Sequence, residues 1–91
     1  MQEQLRTIGE RALAELGAAA DEAALEAWRV RYLGRRGELS QALRGLGELP
    51  PEERPAVGQV ANEVKQQLEA AYAARRTALA EEAVARAFEA E

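Results

Sequence analysis

Ninety-one residues make one small domain, and a chain of this size buries only about 60 to 65% of the surface its unfolded form exposes, too little to enclose a deep catalytic cleft. One Trp, one Phe and two Tyr are its bulkiest groups; alanine, leucine, glutamate, arginine and glutamine are prominent, the composition of long helices packed side by side. With no cysteine or histidine, disulfides, thiolate nucleophiles, imidazole bases and most structural zinc sites are excluded. The formal net charge of -4 confines any polyanion contact to a local patch.

The opening MQEQLRTIGE has no apolar run resembling a secretory segment, and no stretch approaches the roughly 18 consecutive apolar residues of a membrane span. A soluble, cytoplasmic protein is the expectation. From Gln2 to Leu16, the residues Leu5, Ile8, Ala12 and Leu16 recur at three- and four-residue steps and predict a first helix over 2–16. Gly17 weakens it, and Asp21 suits the N-cap of a second helix over 21–33, where Leu25, Trp28 and Tyr32 share a face. Gly34 is expected to close that helix in the left-handed conformation. After GRRG, the spacing of Leu39, Ala42, Leu43 and Leu46 predicts a short third helix over 38–46.

LPPEERP then starts a fourth helix over 52–90, because proline suits a first helical turn and Glu52 and Glu53 favour its positive end. At about 1.5 Å per residue it reaches roughly 60 Å, so an elongated shape is implied. Its stripe, including Val57, Val60, Val64, Leu68, Tyr72, Leu79 and Phe88, needs a long partner. Helices one and two together can supply it in an antiparallel hairpin whose facing residue numbers sum to about ninety. That register sets Leu25 and Trp28 against Val60 and Val64, Leu16 near Tyr72, Leu13 near Leu79, and Leu5 or Ile8 near Val84 and Phe88. The fold class is thus all-α, an elongated antiparallel helical hairpin or coiled coil with a short helix at the tip.

No acid-base or nucleophilic constellation is present: Glu52 with Glu53, and Glu81 with Glu82, are neighbours that point about 100° apart on a helix. Two glycines without a following lysine do not make a phosphate loop. The chemistry lies in arginine. Residues 28 to 47 hold Arg29, Arg31, Arg35, Arg36 and Arg44 against Glu38 alone. The rest of the chain is net negative.

Such a cluster is also explained by pairing with surface glutamates, but Arg35 and Arg36 sit between two glycines at a bend, outside any helix shared with Glu38. Guanidiniums placed there are expected to form a basic tip on the hairpin that suits RNA phosphates, recognised by backbone shape more than by sequence. Lys65, Arg75 and Arg76 extend positive charge along helix four as secondary contacts, with Glu69 at pairing distance from Lys65. Trp28 and Tyr32 suit core packing better than base stacking.

RVRYLGRRGELS followed by LGELPPEERPAVGQVANEVKQQLEAA resembles the N-terminal region of the bacterial phenylalanyl-tRNA synthetase alpha subunit, and the match covers essentially the whole chain. The motifs are YLG, two basic residues, Gly, any residue, Leu and Ser/Thr at Tyr32 to Ser40, then LPPEERP with Gly58, Asn62 and Lys65 behind it. The resemblance implies that residues 1–91 are a single tRNA-binding coiled-coil domain, the arm that precedes a class II catalytic domain in an alpha-two beta-two enzyme. It implies tRNA, the catalytic domain and the beta subunit as partners. It also implies that ATP and magnesium belong to the parent enzyme, leaving this segment without a cofactor, small-molecule substrate or membrane contact of its own.

By position the family's basic pair falls on Arg35 and Arg36; Arg29, Arg31, Arg44 and Lys65 join the candidate site from charge and placement. Gly58 is expected to permit close helix approach, and Asn62 to hydrogen-bond across to the GRRG turn. Two other readings stay open: a structural arm for protein interaction or dimerisation, and the similar arm of a seryl-type synthetase, whose motifs match less well.

Overall fold

The computed structural model describes residues 1–89, which form α1 (Gln2–Leu16), α2 (Glu22–Leu33), α3 (Glu38–Gly45), a 3-10 turn Leu46–Glu48, and α4 (Arg54–Glu89). The expected extension of the last helix to residue 90 falls outside the described residues. The body measures 61 × 19 × 16 Å. The 36 residues of α4 account for about 54 Å of that length at 1.5 Å each. An all-α, elongated fold is what the composition predicts.

Local signals act largely as expected. The Asp21 carboxylate accepts from the Ala24 N–H at 2.7 Å and caps α2, satisfying one of the backbone donors a helix start leaves unpaired. The fourth helix begins two residues later than expected, at Arg54. Pro50 to Glu53 instead form a turn closed by the Glu53 N–H to the Pro50 carbonyl, and Arg54 donates to the carbonyls of Leu49 and Gly47, both at 2.9 Å. Pro55 lies in the first helical turn, where a missing N–H costs nothing.

The arrangement of α1 differs from the expected register. Met1 lies beside Val57 and Leu49, Gly9 faces Val64, and Ala19 meets Arg75, so α1 runs parallel to α4. The short link 17–21 turns α2 back antiparallel to both. Trp28 therefore stacks on Tyr72, with ring centroids 6.2 Å apart and planes 8° off parallel, instead of meeting Val60 and Val64.

The physical reason is that three helices enclose a core where a two-helix seam has one buried line. Leu5, Ala12 and Leu16 of α1, Leu25, Trp28 and Tyr32 of α2, and Val57, Ala61, Val64 and Leu68 of α4 are all buried together, with Leu39 of α3. At the other end α4 runs on alone. Val84 and Phe88 are 57% and 75% exposed, and Leu13, expected near Leu79, is exposed as well.

Glycine at position 9 allows this packing. A Cβ there would stand 3.2 Å from the Val64 side chain. Gly58, expected to serve close approach, has open space around it. The link is held by Arg75, whose Nε and Nη2 both donate to the Ala19 carbonyl at 3.0 and 2.8 Å. Arg75→Ala is expected to cost about 1.5 to 3 kcal/mol, the range for hydrogen bonds to a charged group, read by urea denaturation, with faster amide exchange at Ala18 and Ala19.

Candidate nucleic-acid interface

The segment that joins α2 to α3 is the turn Gly34-Arg35-Arg36-Gly37. Gly34 leaves α2 in extended backbone, φ -66° and ψ 168°, and no residue has positive φ among those described. The expected left-handed closure is therefore absent. Clearance is the reason for both glycines: a Cβ on Gly34 would lie 2.5 Å from the Val30 carbonyl oxygen, and one on Gly37 would lie 2.7 Å from the carbonyl of Tyr32. The turn folds back onto the last turn of α2.

Each carbonyl along it is engaged. Gly34 O accepts from the Gly37 N–H at 2.9 Å and from Ser40 Oγ at 2.6 Å. Arg36 O accepts from Gln41 Nε2 at 2.8 Å, and Arg35 O from Arg44 Nη2 at 3.0 Å. A turn so braced fixes its backbone before any ligand arrives, which lowers the ordering cost of binding. Gly37→Ala is expected to force this brace apart at a cost of about 1 to 3 kcal/mol, the usual scale for overpacking. Its thermal midpoint should fall.

The arginine cluster divides by partner. Arg35 and Arg36 are exposed, and neither pairs with a carboxylate among the described residues. Arg44 spends a donor on the turn itself. Arg29 is tied to Glu26 at 2.5 Å; the bond lowers the Glu26 pKa and raises that of Arg29. Arg31 lies 3.5 Å from Glu15 and over the Tyr32 ring, and Lys65 lies 4.0 Å from Glu69, the pairing its spacing predicts. The structure brings together Arg35, Arg36 and Arg44; Arg29 and Arg31 stand apart on α2, each beside an acid.

The turn is a shoulder, not the apex. Glu38, one residue past it, bonds Arg11 of α1 at 2.7 Å, ten residues or about 15 Å along the helix from Met1. From there α3 leads to the blunt end, where Gly45 meets the Met1 side chain and Met1 faces Leu49, Glu52, Glu53 and Val57. The apex is acidic and the flank basic.

Trp28 and Tyr32 belong to the core. The Trp28 Nε1–H donates to the Ala12 carbonyl at 2.8 Å, and the Tyr32 hydroxyl donates to the Glu15 carboxylate. Burial, then that bond, raises the Tyr32 pKa above its ordinary value. Asn62 is exposed and makes no side-chain hydrogen bond to the turn among the described residues; Ser40 and Gln41 perform the role expected of it. Two polar residues in the first turn of a short helix, directly after a two-glycine bend, were the available signal. No group of three or more potential metal ligands comes together among the described residues, and no helix is long and apolar enough to cross a membrane.

Residues 20–88, from the end of the first link to near the end of α4, match the family model for the N-terminal domain of class II aminoacyl-tRNA synthetases. The chain is 55% identical over 76 residues to the phenylalanine–tRNA ligase alpha subunit of Moorella thermoacetica, covering 84% of this chain and 22% of that protein. The corresponding subunit of Geobacillus thermodenitrificans is 45% identical over 91 residues, 100% of this chain and 26% of the relative. That of Myxococcus xanthus is 52% identical over 69 residues, 76% of this chain and 20% of the relative. The chain thus spans about a quarter or less of the length of these relatives. With the helical order, the braced basic turn and the family match in agreement, the chain belongs to the family of N-terminal domains of class II aminoacyl-tRNA synthetases.

Proposed function

We propose that this chain is the tRNA-binding arm of a phenylalanine–tRNA ligase alpha subunit, holding tRNA through its phosphates and so supporting aminoacylation carried out elsewhere in the enzyme. One observation carries the reading: Arg35 and Arg36 are exposed cations without a carboxylate partner among the described residues, on a turn whose carbonyls are all engaged. The relatives named above are tRNA ligases, and two adjacent guanidiniums on a fixed backbone suit the charge and hydrogen-bonding of phosphate groups. ATP, magnesium and the catalytic residues belong, on this reading, to the class II catalytic domain. The beta subunit is the other partner.

The turn's place on the flank supports a side-on approach, with the long axis of the arm lying across the RNA. Titrating labelled tRNA with the chain at increasing salt tests this. Log affinity should fall linearly with log salt, by roughly 0.7 to 0.9 per phosphate neutralised; affinity independent of salt would sink the proposal. A second reading, contact with protein, is favoured by a separate observation: the exposed Val84 and Phe88 near the end of α4 suit a packed protein surface. It concerns the opposite end of the molecule and does not compete with the first.

A further inference from the structure

Glu38 is the one carboxylate within residues 28 to 47. It stands two residues after Arg36, at the first position of α3. Its charge would subtract most from the turn if its side chain swung toward Arg35 and Arg36. In the fold it is held at 2.7 Å by the guanidinium of Arg11, a residue of α1 that lies outside the 20–88 segment matched by the family model.

The other ion pair between helices, Arg31 with Glu15, also ties α1 to the cluster. The remaining pairs lie within single helices at three- or four-residue spacing. We propose that Arg11 is a positioning residue for RNA binding: by holding Glu38 against α1, it keeps the cluster's only carboxylate from pairing with Arg35 and Arg36. The inference rests on the phosphate-binding reading above.

The electrostatics follow from counting. Arg35, Arg36 and Arg44 with Glu38 sum to +2, and Arg11 raises the local total to +3. Glu38 follows Arg36 by two residues, so their Cα atoms lie within about 7 Å, and its charge, once released by Arg11, acts on the turn within the roughly 10 Å over which charges act at 0.1 M salt. The charge of Glu38 raises the Arg11 pKa above its ordinary value. Both partners are partly exposed, at 49% and 38%, and such a pair adds little to stability. Its effect is on where charge points.

The test is a binding cycle on the 91-residue chain, titrating labelled tRNA at about 0.1 M salt. Arg11→Ala is expected to weaken binding about three- to eightfold, up to the value of one phosphate contact. Arg11→Ala/Glu38→Gln should return to within about twofold of the parent, and Glu38→Gln alone should bind at least as tightly. Thermal midpoints of all three should stay close to the parent's, separating charge placement from loss of fold.

A double variant as weak as Arg11→Ala would make Arg11 a direct contact and overturn the proposal, as would parent-like binding by Arg11→Ala. If Arg35→Ala/Arg36→Ala weakens binding while Arg11→Ala does not, only the positioning role fails. If the parent binds no tRNA even at low salt, the phosphate-binding reading fails with it.

Discussion

Arg35→Ala/Arg36→Ala is expected to lose tens-fold in tRNA affinity near 0.1 M salt while its helical content and thermal midpoint stay unchanged. The magnitude comes from counterion release: each phosphate contact with a slope of about 0.9 is worth roughly eightfold at that salt, and two contacts multiply. Both side chains are exposed, and the brace uses their backbone carbonyls, not their guanidiniums. Alanine therefore removes charge without loosening the turn. The log-log salt slope should fall by about two.

The lysine pair separates two versions of this outcome. If the turn acts as paired point charges, Arg35→Lys/Arg36→Lys keeps both the slope and most of the affinity. If bidentate guanidinium geometry is required, it keeps the slope and loses affinity. Unchanged affinity in the alanine pair would remove the site altogether. Arg29→Ala makes a contrasting control. Arg29 is occupied by Glu26, so its removal should change affinity far less than removing Arg35 or Arg36.

Most of the helices were legible in the sequence, because Asp21, the paired glycines and LPPEERP mark boundaries through local physics that acts the same in any fold. The direction of α1 was not. An apolar stripe such as Leu5, Ile8, Ala12 and Leu16 matches a partner run in either sense, and the choice is made by contacts that spacing does not encode: Gly9 against Val64 and Arg75 on the Ala19 carbonyl.

The same limit applied to the site. Arg35 and Arg36 stood out by charge and position, and their freedom from carboxylates needed no more than Glu38 lying past Gly37. That Glu38 is taken up by Arg11, 27 residues earlier, depends on how α1 folds back. The reason for Gly34 and Gly37 was hidden for a related cause. Sequence suggests positive φ for a glycine after a helix, whereas here the demand is for space against the backbone of Val30 and Tyr32.

Trp28→Ala is expected to remove a large share of the fold's stability, and the reason distinguishes core packing from base stacking. Trp28 is 5% exposed, stacked on Tyr72, tilted against Tyr32 at 5.6 Å, and bonded through Nε1 to α1, so it touches all three long helices. Truncating a buried Trp costs about 3 to 5 kcal/mol. A domain of this length holds only about 5 to 14 kcal/mol in total.

The urea midpoint followed by circular dichroism should therefore fall by about a fifth at the least and collapse toward zero at the most. Trp28→Phe retains an aromatic ring against Tyr72 and forfeits the bond to Ala12, at about 1 kcal/mol, together with the smaller cavity left by part of the indole, and should remain folded. Were Trp28 a base-stacking platform, the alanine variant would fold normally and lose about 1 to 3 kcal/mol of RNA binding instead. Its burial between Tyr32, Tyr72 and the Ala12 carbonyl places the loss in stability, and Trp28→Phe should bind tRNA with the parent's affinity and salt slope.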